Sequence, residues 1–272
     1  MITSGLKCIE PGYYYSKKSP KISFSDSIHI DFIDIEDQSF WYTHRINCLL
    51  ETFKNFHPKE PLFDIGGGTG TVCLALQNVG IDCVLVEPTN TGSNIAYKRG
   101  IKPVINTTLE DANFVDSSIP SIGLFDVLEH IKNESSILTL LRRYLVPGGR
   151  MYITVPTYNN LWSIEDEKSG HYRRYSPLTF QKKLKSLGFK IEYATCLFSI
   201  LPIPILLFRS LPSKLGLRKI NSNRTINEFR PADNSSYLLK WSLDRELRII
   251  KSKKKIYFGS SLFIVARKQD EN

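Results

Sequence analysis

Cysteine is scarce in this chain of 272 residues, and the five copies at positions 8, 48, 73, 83 and 196 form no C-x-x-C pair and no metal-ligand spacing. A disulfide scaffold and a cysteine-bound metal are therefore excluded, and no metal is expected. Cys73 and Cys83 fall within apolar patterns and are expected to be reduced, buried thiols of a cytoplasmic protein. No apolar run reaches the ~20 residues that a membrane-spanning helix needs. The run from Leu197 to Phe208 is too short and carries Pro202 and Pro204, which are expected to break its helix. The amino terminus lacks the charged-then-apolar pattern of a secretory signal. No internal repeat, recognition helix or RNA-binding motif is present, so nucleic acid is not expected as a partner.

What is there is uneven in charge. Residues 1–149 hold 13 Lys and Arg against 17 Asp and Glu, whereas residues 150–272 hold 23 against 10. A basic half suits an anionic surface, an acidic substrate or simply a soluble face. The 42% hydrophobic content supports a buried core for one α/β domain with additions.

The chain is organised around residues 61–70, PLFDIGGGTG. A short apolar strand runs into Asp64, then a glycine-rich turn, then a helix over 71–79. Strand, glycine turn and helix are how an open α/β sheet holds a nucleotide-like ligand at the carboxyl end of a strand. Gly66, Gly68 and Gly70 give G-x-G-x-G; the dinucleotide pattern G-x-G-x-x-G fails because position 71 is Thr. Asp64 would repel a pyrophosphate and attract a cationic amino-acid end. Glu87 closes the next strand, where an acid accepts bonds from ribose hydroxyls. Together they suit a nucleoside that carries an ammonium group, and S-adenosylmethionine is such a ligand.

The stretches FDIGGGTG (63–70) and FDVLEHI (125–131), with Glu87, resemble the class I S-adenosylmethionine-dependent methyltransferases, in the small-molecule branch with a "DVLEHI" stretch. The likeness continues through VPGGR (146–150), HYRRY (171–175) and LGF (187–189), and covers roughly residues 37–267. It implies a doubly wound, seven-stranded Rossmann-like α/β sheet with one antiparallel strand and helices on both faces. It also implies S-adenosylmethionine as cofactor, with Asp64 at the methionine end, Gly66, Gly67, Gly68 and Gly70 beneath it and Glu87 on the ribose. Glu110 or Asp111, with Ala112, would read the adenine, and Phe125 and Asp126 would lie where the methyl is presented.

In chain order, residues 1–57 are expected to be an N-terminal addition. Tyr13 to Tyr15 and the alternation around 28–32 suggest irregular structure with a short strand, and a helix capped by Asp37 should run over 37–57. Its aromatics Phe40 and Trp41 are expected to pack on the sheet, while Tyr42 and His44 are candidates for substrate contact. Residues 58–272 form the domain proper, with a basic, partly apolar insertion at about 197–255. Strands are expected at 82–87, 102–106, 121–125, 150–155, 189–195 and 256–266, the last antiparallel beside the fifth. Val146 to Gly149 should be a tight turn, and Gly123 in mid-strand should mark a close backbone approach. Helices are expected at 91–99, 133–145, 177–187 and 237–250.

The long loop from Thr157 to Ser176 follows a strand's carboxyl end, where ligands bind. His171 within it is the first candidate for acceptor binding or a base, and His130 the second, because an imidazole suits taking a proton from a hydroxyl near neutral pH. Tyr158, Arg173 and Tyr175 are candidates for substrate contact. The acceptor is expected to be a small molecule, a glycan or a lipid-linked sugar. The apolar run 197–208, with Arg209, Lys214, Arg218 and Lys219 nearby, is expected either in the core or against the inner face of a membrane. A nucleotide-dependent oxidoreductase is the rival enzyme reading, and a non-catalytic or nucleic-acid-binding domain the rival from another class.

Overall fold

Apolar tetrapeptides such as LFDI and CVLV become central strands buried on both faces, as continuous runs do in parallel sheets. The computed structural model describes residues 6–16, 39–218 and 237–269. Within them nine strands form one sheet: β1 (Lys7–Glu10), β2 (Tyr13–Tyr15), β3 (Leu62–Ile65), β4 (Cys83–Val86), β5 (Val104–Asn106), β6 (Ile119–Phe125), β7 (Leu145–Pro156), β8 (Phe189–Leu197) and β9 (Ser261–Lys268). Their spatial order is β1-β2-β5-β4-β3-β6-β7-β9-β8. Strands β2 to β7 run parallel to one another, whereas β9 is antiparallel to both β7 and β8. The expected seven strands are the part from β5 to β8, with the antiparallel strand beside β7 as expected.

The two extra strands correct the sequence reading of the N-terminus. Tyr13 to Tyr15 are not irregular: they pair in parallel with Val104 to Asn106 and cover the edge that β5 would otherwise expose. Tyr13 is buried there and shares a hydrogen bond of 3.0 Å with Ser93. β1 then pairs antiparallel with β2. The strand expected around 28–32 and the cap expected at Asp37 lie outside the described residues. Helix α1 (Phe40–Asn55) is capped by Ser39, whose side chain accepts the Trp41 N–H.

Helices α2 (Thr71–Asn78), α3 (Asn90–Lys98), α4 (Leu109–Ala112), α5 (Glu134–Tyr144), α6 (Ile164–Lys168) and α7 (Pro177–Ser186) follow their strands. Successive strand residues point to opposite faces, so Phe63 and Ile65 enter one core with Val84, Leu138 and Ile153. Leu62 enters the other with Leu49, Phe53 and Leu85. Asp64 shares the face of Leu62, the face that α1 covers, and this alternation brings α1 to the site.

Residues 146–149, expected as a turn, are already part of β7. Gly123 answers to packing: a Cβ there would lie 2.5 Å from the Phe125 ring and 3.2 Å from Leu62. The apolar run does become helical, through α8 (Pro202–Ile205), a π turn (Leu206–Ser210) and α9 (Leu211–Lys214). Pro202 and Pro204 do not break it because they occupy its first turn, where a missing N–H costs nothing. Pro212 is internal and leaves the Phe208 carbonyl without its i+4 donor. Arg218 Nη1 donates to that carbonyl instead, at 2.6 Å. Helix α10 (Tyr237–Lys251) packs on α1. No described helix is long and apolar enough to cross a membrane.

Candidate active site at the strand carboxyl ends

β3, β4, β6 and β7 all deliver their carboxyl ends to one edge, and each is followed by a residue expected in the site. Asp64 is fully buried, and neither carboxylate oxygen has a hydrogen-bond partner. Burial pushes its pKa up to about 7; the Arg45 charge opposes the rise and the Glu87 charge adds to it. The turn after β3 wraps this carboxylate. A Cβ on Gly67 would lie 2.4 Å from Leu85 Cδ1 and 2.6 Å from Asp64 Oδ2, so only glycine fits. Gly70 enters α2 at φ 81°, with Ile101 Cδ1 2.1 Å from where a Cβ would be.

Glu87 acts as the buckle of this turn. Its Oε2 accepts the Gly68 N–H at 2.8 Å, and its Oε1 accepts the Thr89 N–H at 2.8 Å and the Thr89 hydroxyl at 2.6 Å. Oε1 is thereby filled, whereas Oε2 keeps a second lone pair for a ligand hydroxyl. An orphaned buried carboxylate beside a turn that excludes a Cβ fits the ammonium-bearing end of the expected cofactor, because that group brings the charge and donors that Asp64 lacks.

Asp126 follows β6 at φ 58°, in the left-handed region that Asp tolerates, and pairs with Arg45. Arg45 projects from α1 with its guanidinium 4.5 Å from the Trp41 ring centre and 5.1 Å from that of Tyr42. Tyr42 is thereby half-buried against Arg45. Phe125 is buried at the end of β6. On α4, the Thr108 hydroxyl accepts the Asp111 N–H at 3.1 Å and lies 3.2 Å from Asp111 Oδ2, which makes Asp111 part of a helix cap. Ala112 is buried and Glu110 is exposed.

His130 ends a 3-10 turn, Leu128–His130, and its ring meets that of His171 edge-on at 4.7 Å. Burial, with the neighbouring His171 charge, lowers the His130 pKa to about 4, so it is neutral at pH 7. His171 Nδ1 lies 2.9 Å from Asp166 Oδ1. Asp166 also accepts Arg174 at 2.8 and 3.0 Å and the Ser163 N–H at 2.9 Å. Burial alone would raise the Asp166 pKa; the His171 and Arg174 bonds hold it below the usual carboxylate range. Glu129 is buried with Oε2 unpartnered, and burial together with the Asp126 charge pushes its pKa well up.

Several candidates have structural partners. His44 is 6% exposed and hydrogen-bonds Glu246 at 2.8 Å, while Glu246 also accepts the Phe198 and Ser199 N–H groups at 2.7 and 2.9 Å. It therefore ties α1 to α10 and to the end of β8. Arg173 donates to the Ile131 and Lys132 carbonyls, both at 2.7 Å, and so locks the loop. Tyr175 is buried and donates to Glu134 at 2.5 Å. Tyr158, at φ 59°, reaches the Tyr257 carbonyl at 3.4 Å. Three residues outside the expected site set stand out: Arg45, Glu129 and Asp166. Asp166 had a local signal, since Ser163 and Asp166 form a capping box. Arg45 follows Trp41 and Tyr42 at helical spacing, whereas Glu129 carried no signal of its own.

A model of the methyltransferase-domain family matches residues 42–194. No curated protein matches the chain. Among solved structures, one similar chain comes from the complex of the Haloferax volcanii Trm112 methyltransferase activator with a methyltransferase. It has 14% identity and a TM-score of 0.58, over 91% of this chain and 96% of that one. Another is Haemonchus contortus phosphoethanolamine N-methyltransferase 2 in complex with phosphomonomethylethanolamine and S-adenosylhomocysteine. It has 19% identity and a TM-score of 0.56, over 90% of this chain but only 58% of the relative. A third is an S-adenosylmethionine-dependent methyltransferase from Thermotoga maritima, with 17% identity and a TM-score of 0.56, over 90% of this chain and 100% of that one. At these identities the likeness is one of fold.

Proposed function

Because the chain belongs to the methyltransferase-domain family, we propose that it transfers a methyl group from S-adenosylmethionine to a small-molecule, glycan or lipid-linked acceptor, by O- or N-methylation. The single observation that carries the cofactor assignment is Asp64, buried without a partner at the mouth of the glycine turn. In this reading Asp64 holds the cofactor's ammonium group and Gly66, Gly67, Gly68 and Gly70 pass beneath it. Glu87 accepts its ribose hydroxyls, and Glu110 or Asp111 with Ala112 meets its adenine. Phe125 and Asp126 flank the reacting centre. The cofactor supplies a methyl on a sulfonium, already activated for in-line displacement. The chain has then to position the acceptor and exclude water rather than supply strong acid–base chemistry.

The acceptor side is built from His171 and His130, with Tyr42 and Tyr158 at the rim. Asp166 accepts from His171 Nδ1, which fixes the tautomer and leaves Nε2 as the ring nitrogen that carries a lone pair. The exposed apolar side chains of α8, the π turn and α9 favour an acceptor presented at a membrane surface. Ile203, Leu207, Phe208, Leu211 and Leu215 are each between 42 and 71% exposed and recur at helical spacing.

Calorimetric titration with S-adenosylhomocysteine tests the cofactor assignment. Micromolar binding is expected for the protein, none for Asp64→Ala, and none with NAD. Binding of NAD in place of S-adenosylhomocysteine would favour the oxidoreductase; no binding of either by folded protein would favour a non-catalytic domain.

A further inference from the structure

Two clusters of metal-ligating side chains occur among the described residues: His44 with Cys48 and Glu246, and Glu129 with His130 and His171. The first is closed. Glu246 has both oxygens committed to backbone N–H groups and to His44, and all three residues are buried. In the second, the ligand atoms of Glu129, His130 and His171 lie within 4.8 Å of one another, and both histidines are only partly buried, the His171 side chain being 16% exposed.

We infer that Glu129, His130 and His171 form a binding site for a divalent first-row transition cation. Two imidazoles and one carboxylate converge on one side, which leaves open positions for water and for an oxygen of the acceptor. Three observations carry this. Glu129 is 1% exposed, yet its Oε2 has no hydrogen-bond partner. The nearby carboxylates already have their own counter-charges, Arg45 for Asp126 and Arg174 for Asp166. His171 has its outer nitrogen bonded to Asp166, the carboxylate–histidine arrangement that orients metal-ligating imidazoles.

The sequence suggested no metal because its spacing rules look for local pairs. Here the third ligand arrives 41 residues after the second, on the loop after β7, and the Tyr172 N–H to Glu129 carbonyl bond of 2.7 Å pins that loop to the 3-10 turn. The cation would sit beside Asp126, where it orients an acceptor oxygen. That acceptor role rests on the methyltransferase reading; the cation site itself does not.

The test uses the full-length protein after treatment with chelator, titrated with Mn2+ followed by electron paramagnetic resonance and with Zn2+ in a calorimeter. One bound cation per chain is expected. Glu129→Gln and His171→Gln should each weaken it about a hundredfold, and Asp166→Asn about tenfold or more. Cys48→Ser, in the other cluster, should leave it unchanged. S-adenosylhomocysteine affinity, measured on the same samples, reports both folding and the cofactor reading separately. In wild-type protein, Mn2+ should broaden the ring-proton resonances of His130 and His171, a readout that needs no substitution. No cation bound by folded wild-type protein would overturn the inference, as would binding that both ligand variants retain or broadening confined to other histidines.

Discussion

Arg45 on α1 and Asp126 after β6 form an ion pair across 81 residues of sequence, and that pair fixes the first helix over the cofactor side of the sheet. Arg45 is almost fully buried, Asp126 is 19% exposed on its side chain, and the Arg45 guanidinium also lies over Trp41. Removing one partner of such a pair leaves a poorly solvated charge. Arg45→Met is expected to destabilise the fold by about 2–4 kcal/mol, discounted from a fully buried pair because Asp126 keeps some solvent. The double variant Arg45→Met, Asp126→Asn should recover more than about 1 kcal/mol of that loss. Urea unfolding of the four proteins measures the coupling. Strict additivity would mean that the pair does not hold α1 in place.

Asp64 makes the protein's stability depend on pH in a direction opposite to that of an ordinary salt-bridged carboxylate. Its pKa is raised from 3.8 to about 7 by burial, so between these values the folded state binds the proton and the unfolded chain does not. Stability from this group is therefore full below about pH 4, falls as pH rises to about 7, and is flat above. Asp64→Asn should remove that slope and stabilise the ligand-free protein at pH 8 by on the order of 3 kcal/mol, while abolishing S-adenosylhomocysteine binding. Unfolding curves at pH 5 and pH 8 decide it. An Asn variant less stable than wild type at pH 8 would show that the carboxylate is solvated or paired.

Gly67 tests the cradle without touching a charge. A methyl at this position meets Leu85 and the Asp64 carboxylate at once, and the glycine lies between them. Gly67→Ala should cost about 1–3 kcal/mol through overpacking and weaken S-adenosylhomocysteine at least tenfold by displacing Asp64. Gly80→Ala provides the contrast. Its φ of 80° disfavours any other residue, yet a Cβ there meets nothing within 4 Å, so Gly80→Ala should lose stability through the backbone while keeping affinity. Equal loss of affinity in both variants would remove the special role of the Gly67 contact.

The glycine-turn half of the candidate site has a local sequence pattern. Strand, acid, glycine turn and helix occupy residues 62–78, and Glu87 closes the adjacent strand. The half around His130 and His171 was only partly legible, since Glu129 and His171, or Arg45 and Asp126, meet by tertiary folding and leave no spacing to read. Tyr13 to Tyr15 were misread for the same reason: an edge strand takes its partner from the sheet, and nothing in three tyrosines names Val104 to Asn106. Pro202 and Pro204 were read as breakers because composition does not reveal that a helix starts at them.

The apolar stripe of α8, the π turn and α9 allows the acceptor's location to be tested. Ile203, Leu207, Phe208, Leu211 and Leu215 share one helical face and stay exposed, while Pro202 and Ser210 on the same stretch are buried. Lys214 follows on α9, and the exposed basic run from Lys251 to Lys255 follows α10. An apolar face with basic neighbours binds a bilayer surface by area and charge together, so both contributions should be separable. The protein is expected to sediment with vesicles of phosphatidylglycerol and much less with phosphatidylcholine, and the binding should fall in high salt as exposed charges are screened. Leu207→Ser with Phe208→Ser and Leu215→Ser should lower vesicle affinity at least tenfold and leave S-adenosylhomocysteine binding unchanged, because none of the three touches the glycine turn. Absence of sedimentation with either lipid, or retention by the triple variant, would direct the acceptor search to water-soluble small molecules.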